Sequence, residues 1–159
     1  MIWRKLFPPP RAAEIVLAAP SHAPGCAAIH AVSFARGWSV LEFESLFSDQ
    51  AVIAHAALRS GSIEGFSLCR IAADEAELLS IAVAASTRRN GIARRLMQAQ
   101  LDALRREPLR ALFLEVDEGN GAARALYGRF GFQEAGRRKG YYAGKGSAPA
   151  DALILRLPL

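Results

Sequence analysis

The sequence predicts a single α/β domain built on a mixed, mostly antiparallel sheet. Short apolar runs of strand type follow one another between residues 51 and 83, which is typical of an antiparallel meander. A segment of helical periodicity then separates the apolar strand 78–83 from another at 111–117, and a strand–helix–strand connection of this kind makes the two strands parallel neighbours. With 159 residues, of which 52% are apolar, the chain can bury one core.

The first half of the domain is predicted to contain a strand, two helices and a hairpin. Residues 1–11, with three successive prolines, form a stiff N-terminal extension that lacks a secretory signal pattern, and residues 12–159 form the domain. Ser39 and Glu42 make a capping box at the start of the second helix. The predicted elements are a strand from Glu14 to Ala19, a helix from Ser21 to Arg36, a helix from Ser39, and strands from Ala51 to Leu58 and Ile63 to Ile71.

The second half follows the central strand 78–83. Asn120 can cap a short helix, and Gly131 suits the position after its end. The predicted elements are a helix from Gly91 to about Arg106, a strand from Ala111 to Asp117, a helix from Gly121 to Phe130, and a final hairpin of Gln133 to Ala143 and Ala152 to Leu157 around a flexible link, Gly144 to Pro149.

A basic loop rich in small residues lies between the central strand and the following helix. The first N–H groups of a helix have no internal partner and carry the positive end of its dipole, so the loop predicts a phosphate site. A cationic surface turn is the alternative. The net charge of +5 and pI near 9.8 suit a polyphosphate ligand, with a nucleic-acid partner as the alternative. No aromatic-interleaved basic stripe or recognition-helix pattern favours that alternative, so direct nucleic-acid binding is not expected.

Other site classes find little support in the sequence. The two cysteines, Cys26 and Cys69, lie far apart and outside metal-type spacings, which indicates buried thiols in a reducing cytoplasm. The three histidines have no triad partners in view, so neither a metal nor a covalent nucleophile is expected. No apolar run reaches the ~18 residues that a membrane span needs.

Several motifs occur in the order that one known family shows. Arg88-x-x-Gly91-x-Ala93, directly after an apolar strand, resembles the acetyl-CoA signature of the GCN5-related N-acetyltransferases (GNAT). The segment from about residue 76 to 157 resembles the RimI-like ribosomal-protein alanine N-acetyltransferases of that family. The motifs that carry this second resemblance are Leu114-Glu115-Val116, Asn120, Ala125-Leu126-Tyr127, Phe130-Gly131-Phe132 and Tyr141-Tyr142.

The resemblance implies a GNAT fold, in which the parallel strand pair splays to admit acetyl-CoA as co-substrate. It also implies a protein N-terminal amine as acceptor, on a ribosomal protein, with Glu115 as general base and Tyr127 as general acid. The implied coenzyme contacts are Ile81, Ala82, Val83, Arg88, Arg89, Asn90, Gly91, Ile92, Ala93, Arg94 and Asn120. The implied acceptor contacts are Trp38, Glu42, Tyr141 and Tyr142, at an end of the cleft expected to be acidic through Glu42, Glu44, Asp117 and Glu118.

The chemistry of acetyl transfer fits these residue types. An α-amino group has a pKa near ~8 and must lose a proton before it can attack, which a carboxylate can accept directly or through a water. A tyrosine hydroxyl can protonate the departing thiolate, and the N–H of Val83 could polarise the thioester carbonyl. Glu115 could instead face solvent, Tyr127 could be core packing and Asn120 only a cap.

Three other functions stay open at this stage. The chain could acetylate a small amine, such as a polyamine or an aminoglycoside. It could also be a non-catalytic acyl-CoA-binding module or a basic RNA-associated factor. Thiol release with an amine acceptor distinguishes an enzyme from a binding module, and steep salt-dependent RNA binding would identify the RNA factor.

Overall fold

The computed structural model describes residues 11–142 and 150–159. The strands of this part are β1 (Glu14–Leu17), β2 (Val52–Arg59), β3 (Ser62–Ala72), β4 (Glu75–Val83), β5 (Ala111–Asp117), β6 (Gln133–Tyr142) and β7 (Ala150–Pro158). The α-helices are α1 (Ala23–Ser33), α2 (Val40–Ser48), α3 (Ile92–Leu104) and α4 (Gly121–Arg129), with short 3-10 turns at Pro20–His22 and Ala85–Thr87.

The strands form one mixed sheet in the order β1-β2-β3-β4-β5-β7-β6. Strands β1 to β4 form an antiparallel meander, β4 and β5 are parallel, and β5, β7 and β6 are antiparallel. The α/β class, the meander, the parallel pair and the final hairpin are therefore confirmed.

The parallel pair joins at one end only. Its register runs over three pairs, from Glu75 with Ala111 to Glu77 with Phe113, and then stops, although both strands are described to their ends. The register of β4 against β3 also shifts, since Leu68 faces Ser80 while Cys69 faces Leu78, and Leu79 is left as a bulge. Beyond this bulge β4 diverges from β5, which is the splay that the GNAT resemblance implies.

Helices cover the two faces of the sheet. Helices α1 and α2 pack on one face, where Phe43 meets Phe66 of β3 in an edge-to-face contact at 5.2 Å. Helices α3 and α4 lie on the other face, over a cluster that includes Met97, Leu114 and Tyr127. Because side chains alternate along β5, Glu115 lies on the α1 and α2 face, opposite Leu114.

Two predicted boundaries are wrong by three residues, and the other boundaries lie within two residues of the observed ones. The helix predicted from Ser21 to Arg36 is a 3-10 turn followed by α1, which ends at Ser33 because Phe34 is extended at φ −130° and ψ 151°. The central strand begins at Glu75 and not at Leu78, since a tight turn with Ala73 at φ 53° starts it earlier. The capping box at Ser39 is confirmed.

Some predictions fall outside the described residues. These are the N-terminal extension over residues 1–10, the link at 144–149 and the side chains of Tyr141 and Tyr142. Within the described ranges, no helix combines the length and the apolar character needed to cross a membrane.

Candidate active site in the gap between β4 and β5

The backbone of β4 presents amide groups to the gap. The N–H of Ala84 donates to the carbonyl of Glu64 at 2.8 Å, so the even positions at this end of β4 bond to β3. In an antiparallel ladder the intervening residues point their N–H groups the other way, and here these are Ile81 and Val83. Since the β5 register ends at Phe113, the two N–H groups face the gap. This is where the resemblance implies coenzyme contacts.

The loop after β4 leads to an uncapped helix N-terminus. Arg89 and Gly91 have φ values of 66° and 74°, which turn the chain sharply into α3. Gly91 is the N-cap residue and no side chain caps the helix, so the N–H groups of its first turn are left for another acceptor. A Cβ on Gly91 would meet nothing within 4 Å. The loop therefore has the open approach that a phosphate seat requires.

The arginines of this region divide into two groups. Arg88 donates from Nε to the carbonyl of Val83 at 3.2 Å, and Arg95 donates to the carbonyl of Ala13 at 2.6 Å, so both brace the backbone. Arg94 and Arg129 instead line a groove of about 480 Å³ between α3 and α4, together with Gln98 and Phe130. Sequence reasoning missed Arg129, whose signal is its place in the last turn of α4.

Glu115 sits on the wall of the gap, with an ion-pair partner that the sequence did not predict. Its side chain is 26% exposed, and its Oε1 lies 3.1 Å from Nη2 of Arg138. Arg138 belongs to β6 and reaches across β7 to β5. The guanidinium of Arg138 therefore covers this carboxylate on the α1 and α2 face of the sheet.

Tyr127 lies on the other side of the sheet. It is 5% exposed, and its ring packs edge-on against Phe132 at 5.6 Å in the cluster beneath α3 and α4. Tyr127 and Glu115 thus lie on opposite faces of the sheet. Asn120 caps α4, because its Oδ1 accepts the N–H of Ala123 at 3.1 Å.

Two of the predicted acceptor residues, Trp38 and Glu42, lie on the α1 and α2 face. Trp38 is half-buried, with its ring stacked on His30 at 4.5 Å. Glu42 accepts the N–H of Ser39 at 2.7 Å and pairs with Arg36 at 3.2 Å, so both of its oxygens have partners.

Two more of the carboxylates expected to make the acceptor end acidic, Asp117 and Glu118, are also engaged. Asp117 accepts the N–H of Gly119 at 2.7 Å, and Glu118 pairs with Arg137 at 3.1 Å. Glu118 is therefore balanced by a basic side chain, and Asp117 by a backbone donor.

Neither cysteine has the environment of a nucleophile. Both thiols are fully buried, and burial raises the pKa of Cys26 to about 12 and that of Cys69 further still. Among the described residues no group of three or more His, Cys, Asp or Glu side chains could hold a metal ion.

The sequence matches the Acetyltransferase (GNAT) family over residues 21–132, well over half of the chain. The protein therefore belongs to this family and is an acetyl-CoA-dependent N-acetyltransferase.

The [ribosomal protein bS18]-alanine N-acetyltransferase of Escherichia coli K12 is 37% identical over 101 residues, which are 64% of this chain and 68% of that protein. The crystal structure of the E. coli ribosomal-protein-S18-alanine N-acetyltransferase superposes with a TM-score of 0.83 at 31% identity, over 92% and 93% of the two chains. Arabidopsis thaliana NAA60, solved in complex with acetyl-CoA, shares the fold at 21% identity, with a TM-score of 0.80 over 92% of this chain and 98% of that one.

Proposed function

We propose that this enzyme transfers the acetyl group of acetyl-CoA to the N-terminal α-amine of a ribosomal protein, by direct attack in a ternary complex. The observation that carries the proposal is the gap between β4 and β5, which has amides of β4 on one wall and Glu115 on the other. Relatives named for alanine acetylation of ribosomal protein bS18 supply the acceptor class.

The coenzyme half of the site is supported by backbone geometry. The pyrophosphate would lie against residues 88–94, where the first turn of α3 is uncapped. The groove that holds Arg94 and Arg129 continues from this helix end and suits the remaining phosphate of the coenzyme. The pantetheine arm and the acetyl group would then enter the gap along Ile81, Ala82 and Val83.

The chemical step uses the two faces of the sheet. The amine arrives on the α1 and α2 face, displaces the guanidinium of Arg138 and gives its proton to Glu115, directly or through a water. The free amine attacks the thioester carbon, whose oxygen is polarised by the N–H of Val83. The tetrahedral intermediate loses the second proton of its nitrogen to water and collapses, and the C–S bond breaks. The thiolate takes a proton from Tyr127 on the opposite face, and Tyr127 regains one from water.

The acceptor half of the site is proposed from the positions of its residues in the fold. Trp38 and Glu42 lie on the face that Glu115 shares, and Tyr141 and Tyr142 belong to the strand that carries Arg138. An acceptor on the ribosome places the reaction in the cytoplasm, and the proposal involves neither a membrane, a metal nor direct binding of nucleic acid.

Thiol release from acetyl-CoA tests the proposal. A peptide that copies the N-terminus of ribosomal protein bS18 should be turned over, whereas the same peptide with a blocked N-terminus should not. Faster turnover of a polyamine or an aminoglycoside than of any free peptide would replace the proposal with small-amine acetylation. Coenzyme binding without thiol release for any amine would reduce the protein to a binding module.

A further inference from the structure

One buried histidine fastens the loop between α1 and α2. His30 is 3% exposed, and its Nδ1 accepts the backbone N–H of Trp38 at 3.1 Å, across the end of α1 and the residues 34–37 that follow it. The imidazole also stacks on the indole of Trp38 at 4.5 Å with an interplanar angle of 18°, and on Phe34 at 4.3 Å. A single side chain therefore contacts both ends of the segment 34–38, which we call the acceptor loop.

The acceptor loop lies close to α1 and exposes apolar side chains. A Cβ on Gly37 would come within 3.0 Å of the Cα of Ala31, so the loop backbone rests directly against the helix. Phe34 is 41% exposed, and next to the loop Val32 and Leu41 are 78% and 75% exposed. Loops with this little burial open readily unless a specific contact holds them.

The hydrogen bond defines the state of the imidazole. An Nδ1 that accepts leaves the ring proton on Nε2, so the ring is neutral. Burial lowers the pKa of His30, and Glu42 of α2, itself paired with Arg36, acts in the opposite direction. The hydrogen bond to Trp38 requires the neutral ring, because a protonated Nδ1 would be a donor facing the donor N–H of Trp38.

We propose that His30 is a positioning residue for the acceptor peptide: it holds the acceptor loop, and with it Trp38, in the conformation that the peptide contacts. The inference rests on the proposed function, since it takes Trp38 as part of the acceptor site. It assigns His30 no part in the chemical step, because its ring is buried among Phe34, Trp38, Phe43 and Phe66.

Two substitutions separate the hydrogen bond from the stacking. His30→Phe keeps an aromatic ring and removes the acceptor, whereas His30→Asn keeps a polar atom near the position of Nδ1 and removes the ring. His55→Phe is the matched control, because His55 is 7% exposed on the other face of the sheet, beneath α3.

We expect His30→Phe to raise the KM for the peptide about tenfold, since it orphans a part-buried N–H, while the KM for acetyl-CoA stays within about twofold. His30→Asn should recover part of the loss, and His55→Phe should leave the peptide KM unchanged. An unchanged peptide KM in a folded His30→Phe enzyme would overturn the inference. If His30→Phe does not fold, His30→Ala, which removes both the acceptor and the ring, takes its place, and an unchanged peptide KM in folded His30→Ala would overturn it.

A measurement made without any acceptor distinguishes failure of this inference from failure of the proposed function. Hydrogen exchange of the Trp38 amide should accelerate in His30→Phe and much less in His55→Phe. Failure of the wild-type enzyme to acetylate any peptide would refute the proposed function and the acceptor role of His30 together. Faster exchange with an unchanged peptide KM would refute the inference alone.

Discussion

Replacing Glu115 with glutamine tests the general base most directly. Glutamine keeps the shape of the side chain and removes its basicity, so turnover of a peptide at pH 7 should fall on the order of 10²-fold. That loss equals about 2.7 kcal/mol of transition-state stabilisation. Because the amine has a pKa near ~8, about a tenth of it is free at pH 7 and most at pH 9, so about tenfold of the loss should return at pH 9.

The structure predicts that stability changes little in the same variant. Glu115 is 26% exposed and Arg138 54% exposed, and an ion pair this open to water is worth about 0–1 kcal/mol. Glu77→Gln is the matched control, since Glu77 is an exposed carboxylate on the same face, opposite Phe113 in the register of β4 and β5. Steady-state thiol release with thermal unfolding measures both effects. A Glu115→Gln rate within about twofold of wild type at pH 7 would refute the assignment.

Three further predictions follow from the site and the buried histidine. Gly91→Val should raise the KM for acetyl-CoA, because a φ of 74° strains a β-branched residue and its side chain would project into the open space before α3. Unchanged coenzyme affinity by calorimetry would contradict the assignment of this loop to the coenzyme. Tyr127→Phe keeps the packing against Phe132 and removes only the hydroxyl, so turnover measured by thiol release should fall, and a wild-type rate would leave Tyr127 a packing residue. Burial lowers the pKa of His30 below its ordinary 6.5, so the unfolded chain binds the proton first and stability should decline as pH falls below 6.5; melting temperatures at pH 7.5 and 5.5 measure this, and an equal decline in His30→Asn would assign the effect to other groups.

Local patterns predicted most of the fold, because each depends on neighbours in sequence. The strand at 111–117 and the capping box at Ser39 were predicted at the residues where they occur. The helix end at Ser33 was missed, since α1 is followed by apolar and basic residues that could have continued the helix, and no glycine or proline intervenes before Gly37.

The missed features of the site depend on contacts between distant elements. Arg138 reaches Glu115 across an intervening strand, a relation that no periodicity records. The bulge at Leu79 follows from the pairing of two strands, and β4 alone reads as a continuous apolar run. The contact of His30 with Trp38 depends on the early end of α1, which lets the chain return to the helix. The roles of Glu115 and Tyr127 came from the resemblance and stay predictions.

The short register between β4 and β5 has a consequence for the stability of the protein as a whole. Three residue pairs, Glu75 to Glu77 with Ala111 to Phe113, join the four strands β1 to β4 to the three strands β5, β7 and β6. Beyond these pairs β4 and β5 are not paired with each other, so each presents a strand edge inside the sheet. The unpaired N–H and C=O groups of such an edge bind water or pair with another extended chain. The amide groups of the pantetheine arm could pair with the backbone of Ile81 and Val83, as an added strand would. The bound coenzyme would then link the four-stranded and the three-stranded parts of the sheet. At 100 times its Kd, acetyl-CoA would then add about 2.7 kcal/mol to the free energy of unfolding. Without the coenzyme, we expect unfolding to begin with separation of β4 from β5 and not at the outer strands.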